Sequence, residues 1–179
     1  DNRRSRGLGD VYKRQLLDLK FIFIKGIPTR DVLRVENLYP YGKYKYSDLS
    51  EDLILKERSV KLLPEARGYK LKATISGHGH EGPRNCCEWD SKTHTYFLSN
   101  WEIFRWNVWK DCGNNSIYPQ GGTWPFDRAG WCPGTKVDEY EFELTPYVKS
   151  GDLINIDYAI EPHSDNGEKE GFFYMTHQI

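Results

Sequence analysis

Apolar and polar residues alternate with a period of two along much of this chain. In residues 69–76, Leu71, Ala73 and Ile75 alternate with Lys70, Lys72 and Thr74. In residues 140–144, Tyr140, Phe142 and Leu144 alternate with Glu141 and Glu143. In residues 153–160, Ile154, Ile156, Tyr158 and Ile160 share one face opposite Asn155 and Asp157. Side chains on a strand point alternately to opposite faces, so each run predicts a half-buried β-strand. Further strands are predicted at 19–25, 31–37, 58–63, 93–98, 102–108 and 172–178, about nine in all. Gly, Pro, Asn and Asp clusters separate them. No long segment shows helical spacing, and residues 144–148 read as a single turn. Many strands at short spacing predict an all-β fold, a sandwich or jelly roll.

One loop is outsized. Residues 111–135 are rich in Gly and Pro and are bracketed by Cys112 and Cys132. A long loop in a compact domain is usually functional or stapled. A disulfide between those cysteines would close about twenty residues, worth about 3 kcal/mol of chain entropy. It would also place the protein outside the cytosol. Cys86 and Cys87 are adjacent, and on a strand their side chains diverge. The expectation for them is one buried thiol and one partnered or free. No Cys-x-x-Cys pair exists, which argues against a zinc ribbon.

Composition narrows the classes. Aromatic residues make up 15% of the 179 positions, which excludes a disordered chain. The 25 basic and 26 acidic residues balance to a net charge of −1. Nothing in that balance calls for nucleic acid or an anionic membrane as partner. The longest apolar run, around residues 21–24, is too short to span a bilayer. The mean hydropathy of −0.73 implies extensive polar loops. Residues 1–16 are Arg-rich and include "SRGLGDVYKRQ", which resembles translated adapter sequence; they read as a non-native or disordered tail before a domain at 17–179. They lack the apolar core of a signal peptide.

All six tryptophans fall between Trp89 and Trp131. Trp106, on an alternating strand, reads as core. Trp89, Trp124 and Trp131 sit in turn-rich contexts where exposure is expected. Flat rings beside charged groups suit a cleft for sugars or peptides. Glu88, between Cys87 and Trp89, is a candidate proton-handling carboxylate; the ordinary reading is a surface glutamate. Arg128 could present a planar fork to a hydroxyl or acetamide, or form an ion pair with Asp127 or another strand. His78 and His80, two residues apart, could face one metal, or simply make hydrogen bonds in a turn.

Two strings resemble the C-terminal domain of the peptide-N-glycosidase F family: "ISGHGHEGPRNCCEWDSKTHTY" (75–96) and "CGNNSIYPQGGTWPFDRAGWCPG" (112–134). The segments "IPTRDVLRVENLY" and "LTPYVKSGDLINIDY" add to it, so the likeness runs over nearly all of 17–179. It implies an eight-stranded antiparallel jelly roll, one of two packed side by side. It also implies a cofactor-free amidase that splits N-glycans from asparagine, leaving aspartate, ammonia and the free glycan. The resemblance places the catalytic carboxylate of this domain on Glu88. It puts the substrate-binding residues for an N-linked glycoprotein on Arg128 and Trp131, at the chitobiose core, and on Trp89, in the adjoining wall, and a disulfide on Cys112 and Cys132. It implies a secreted or periplasmic bacterial protein.

The resemblance implies that the family's other catalytic carboxylate comes from an N-terminal jelly roll, which is expected to lie outside this chain. The chain alone is therefore expected to have little or no amidase activity. The family also brackets its glutamate with two cysteines; here Cys86 fits the first place, Asp90 occupies the second and Cys87 is extra. The rival readings are a copper- and ascorbate-dependent monooxygenase using His78 and His80 with Met175, and a glycan-binding module without turnover.

Overall fold

The computed structural model describes residues 19–79, 86–115, 122–162 and 170–179. The chain divides into two units, Asp1–Val32 and Leu33–Ile179. In the first, residues 19–32 carry no helix or strand and every one is exposed. The strand predicted at 19–25 is therefore not formed: a strand needs a neighbour for its backbone groups, and the pattern alone supplies none.

Among the described residues, the second unit holds eight strands: β1 (Asn37–Lys45), β2 (Arg58–Lys61), β3 (Lys70–His78), β4 (Lys92–Leu98), β5 (Trp101–Val108), β6 (Glu139–Glu143), β7 (Leu153–Ile160) and β8 (Phe172–Gln178). A short helix α1 (Tyr46–Ser50) follows β1, and the turn foreseen near residue 145 is a 3-10 turn at Thr145–Tyr147. Two four-stranded sheets form, ordered β1-β8-β3-β6 and β2-β7-β4-β5. Every pairing is antiparallel. The period of two predicts an all-β sandwich or jelly roll of about nine strands, and the fold formed is the eight-stranded jelly-roll sandwich that the family resemblance implies.

The strand expected at 31–37 lies further on, as β1. Pro40 and Gly42 disguise it, and its ladder to β8 shifts register twice, between Asn37 and Tyr39 and between Tyr39 and Gly42. Proline and bulges are tolerated there because β1 is an edge strand. Helix α1 is too short to leave a periodic signal. Tyr46 and Leu49 anchor it in the core, and the Tyr46 hydroxyl donates to the Pro162 carbonyl at 2.7 Å.

The core lies between the sheets. One inner face contributes Leu71, Ala73 and Ile75 of β3 with Phe173, Met175 and His177 of β8. The other contributes His94 and Tyr96 of β4 with Ile154, Ile156, Tyr158 and Ile160 of β7. Rings meet edge to face across the gap, as in Tyr96 on His177 (5.6 Å) and His94 on Phe173 (5.5 Å). Trp106 packs at the margin of this core, 4.6 Å from Phe142.

Candidate functional site

The site is built at the C-terminal end of β3, where two loops are laced onto the sheet. Cys87 N–H donates to the His78 carbonyl (3.3 Å) and Glu88 N–H to the Gly79 carbonyl (3.0 Å). Ala129 N–H then donates to the Glu88 carbonyl (2.9 Å), and Gly77 N–H to the Ala129 carbonyl (2.9 Å). Glu88 is thus strapped between the end of a core strand and the long loop. Two glycines permit the close approach. A Cβ on Gly77 would lie 2.0 Å from the Cys87 carbonyl oxygen. Gly130 has φ +77°, and a Cβ there would lie 2.2 Å from the Ile75 carbonyl oxygen.

The long loop is held in three ways. Cys112 and Cys132 form the expected disulfide, with Cα atoms 5.5 Å apart. Lys110 and Arg128 exchange backbone hydrogen bonds, at 2.8 and 3.2 Å. The Asp127 carboxylate accepts the Cys112 N–H at 3.0 Å. Asp127 thus serves the loop backbone, and Arg128 turns elsewhere.

Arg128 is the hub. Its side chain is 3% exposed and its Nε donates to Glu88 Oε1 at 3.1 Å. Nη1 donates to the carbonyls of Phe126 (2.8 Å) and Trp124 (3.4 Å). Nη2 donates to the carbonyl (2.8 Å) and hydroxyl (3.0 Å) of Thr123. All five guanidinium N–H groups are therefore matched by protein acceptors. The guanidinium also lies over two indoles, 4.2 Å from the Trp89 ring centre and 5.1 Å from that of Trp131.

The stack continues across the outer face of the sheet. Trp131 anchors its Nε1–H on the Gly77 carbonyl at 2.9 Å and stacks on His78 at 5.2 Å. His78 stacks in turn on Phe172 at 5.5 Å, and Lys43 Nζ lies 3.8 Å from the Phe172 ring centre. Burial holds His78 below the ordinary imidazole pKa; Glu88 pulls the other way, and Lys43 adds to the lowering. Its Nε2 lies 2.9 Å from the Ser76 hydroxyl.

The structure therefore brings together Glu88, Trp89, Arg128, Trp131 and His78. Trp89 and Trp131 are half-buried, each with one face turned to the guanidinium. His80 lies outside the described residues. His78 and Met175 stand on opposite faces of one sheet: Met175 is buried in the core, where its sulfur lies 3.3 Å from His177 Nε2. The expectation for the adjacent cysteines is corrected. Cys86 and Cys87 are joined to each other across a cis peptide, both buried, and neither remains a thiol.

Sequence reasoning missed the carbonyl cradle of Thr123, Trp124 and Phe126, because backbone acceptors carry no residue signature. It also missed Lys92, which is buried and pairs with Asp90 at 2.7 Å and Glu161 at 3.5 Å.

Comparison with known proteins gives this geometry its family. Residues 45–179 match the family described as "Peptide-N-glycosidase F, C terminal". The chain is 33% identical over 146 residues to peptide-N(4)-(N-acetyl-beta-D-glucosaminyl)asparagine amidase F of Elizabethkingia miricola; the match covers 75% of this chain and 38% of that protein. A crystal structure of peptide-N(4)-(N-acetyl-beta-D-glucosaminyl) asparagine amidase superposes with a TM-score of 0.77 at 26% identity, covering 87% of this chain and 53% of that one. PNGase F of Flavobacterium meningosepticum, a glycosylasparaginase, superposes at 0.71 with 28% identity, over the same shares. The chain thus spans only part of the length of these relatives. With the family match covering most of its length and the jelly roll shared, this chain belongs to the peptide-N-glycosidase F C-terminal domain family.

Proposed function

We propose that this chain is the second jelly roll of an amidase that releases N-glycans from glycoproteins, and that Glu88 is the carboxylate it contributes. The observation that carries the reading is the Glu88–Arg128 pair flanked by Trp89 and Trp131 in a member of this family. In the proposed reaction, water adds to the carbonyl carbon of the glycosylated asparagine side chain. The C–N bond then breaks, leaving aspartate and a glycosylamine, which loses ammonia in water. An ionised carboxylate only accepts hydrogen bonds, so Glu88 would orient that water or take its proton. A second carboxylate would come from an N-terminal jelly roll outside this chain.

Arg128 receives a revised role. Its donors already serve Glu88 and the loop carbonyls, so it fixes the carboxylate and the indoles. Contact with the chitobiose core then falls to Trp89 and Trp131, whose half-buried rings offer apolar surface to a sugar's C–H face. Two disulfides fit an oxidising, extracytoplasmic location. Among the described residues, no helix is long and apolar enough to cross a membrane.

The test is glycan release from a denatured N-glycoprotein by the full-length gene product and its Glu88→Gln variant, read by mass spectrometry. The Asn-to-Asp mass increase is expected from the parent and lost in the variant. An intact, folded full-length protein that binds the glycan without that mass increase would be a binding module instead.

A further inference from the structure

We propose that residues 19–25 form a β-strand that this chain contributes to a second β-sheet, built from the upstream part of the longer protein. The inference rests on the upstream domain of the proposed function, and not on its amidase chemistry.

The segment Leu19-Lys20-Phe21-Ile22-Phe23-Ile24-Lys25 has the composition and length of a strand. Yet Phe21, Ile22, Phe23 and Ile24 are 79, 71, 93 and 88% exposed. Four consecutive large apolar residues left in water mark a surface that something else covers.

The pattern indicates what kind of partner fits. In this fold's own strands the outward positions are mostly polar, as Asn155 and Asp157 are in β7. In 19–25, extended backbone puts Leu19, Phe21 and Phe23 on one face and Ile22 and Ile24 on the other. Both faces are apolar, and only Lys20 and Lys25, at the flanks, carry charge. Such a run belongs inside a sheet that is covered on both sides, rather than at a solvent-facing edge. The partner must therefore supply backbone neighbours and apolar cover together, as a β-sheet does when it admits an added strand. A spacer would be polar or rich in glycine and proline; that composition begins afterwards, at Gly26 and Pro28.

The comparisons point to the same partner. The superposition on the amidase crystal structure covers 87% of 179 residues, about 156, which exceeds the 147 residues of Leu33–Ile179. The match therefore reaches back before Leu33, into a protein of which this chain covers only 53%.

Hydrogen–deuterium exchange read by mass spectrometry tests this on the 179-residue chain and on the full-length gene product. The amides of residues 20–25 should exchange as an open chain in the first and be slowed about 100-fold or more in the second. Amides of β3 and β8 should exchange alike in both. Phe23→Lys in the full-length protein should abolish the protection, and in the 179-residue chain it should leave the melting temperature unchanged. Fast exchange of residues 20–25 in both proteins would overturn the proposal and make the segment a spacer. Protection in the 179-residue chain that grows with its concentration would overturn it in favour of a second copy. Protection there at every concentration would overturn it by placing the strand on this chain's own fold. Each outcome is read without turnover, so it stands whether or not the protein releases glycans.

Discussion

His177 offers a quantitative test of how the sandwich core is built. It lies on β8, wholly buried, with Nδ1 2.5 Å from the Tyr96 hydroxyl. Its ring packs 4.6 Å from Tyr158 and 5.4 Å from Tyr39. Burial lowers its pKa to about 3. His94, also wholly buried, is lowered by burial and by the nearby His177. A histidine in the unfolded chain takes a proton near pH 6.5, which the folded core refuses. Below that pH the unfolded state binds more protons, so stability falls as pH falls, until about pH 3. The linkage relation gives a loss at His177 of about 2 kcal/mol between pH 8 and pH 5, approaching about 5 kcal/mol near pH 3.

The perturbation is His177→Gln, which keeps a partner for the Tyr96 hydroxyl but cannot titrate. At pH 8 it should cost about 1–3 kcal/mol through imperfect burial of its amide. Urea unfolding followed by tryptophan fluorescence at pH 8 and pH 5 measures both proteins. The gap between them should narrow by about 2 kcal/mol at pH 5, since only the parent retains this acid penalty. The surface carboxylates cancel in the difference; His94, which His177 helps to lower, sheds part of its own acid penalty in the variant and so narrows the gap further. If the two proteins lose stability equally, within about 0.5 kcal/mol, His177 is not a buried neutral group and the reasoning fails.

Three other outcomes follow from the site. Arg128→Met removes five hydrogen bonds, among them the charged one to the Glu88 carboxylate. It should cost about 2–4 kcal/mol in urea unfolding, discounted because Glu88 keeps some water; an unchanged midpoint would contradict its place as the loop's hub. Gly77→Ala drives a methyl into the Cys87 carbonyl and should destabilise by about 1–3 kcal/mol or more, seen as a lower melting temperature. Replacing Cys112 and Cys132 together by serine should cost about 3 kcal/mol, and mild reductant should lower the parent's melting temperature toward the variant's.

Much of the fold was legible in the chain's periodicity. Alternation at 69–76, 140–144 and 153–160 located β3, β6 and β7, because one face of each strand packs on the core and the other meets water. The same pattern erred at 19–25, where apolar character was read correctly but no strand among the described residues pairs with it. It missed β1, whose Pro40, Gly42 and bulges break the alternation.

The sequence by itself determined the residue types of the site and their local order. Glu88 beside Trp89, Arg128 near Trp131, and cysteines bracketing a long loop were all visible, and the motif strings carried the family. Only the tertiary structure decided which partners those groups take. Arg128 passes over neighbouring Asp127 for Glu88, forty positions away, because the loop folds back onto the end of β3 and the Asp127 carboxylate is taken by the Cys112 N–H. Its remaining donors go to backbone carbonyls, which every residue has and no sequence marks. Cys86 and Cys87 bond to each other, which no spacing rule foretold. Alternation is a local property of a strand against one surface, and a sequence displays it directly. Pairing is a property of distances between segments far apart in the chain, and those exist only once the sheets have closed.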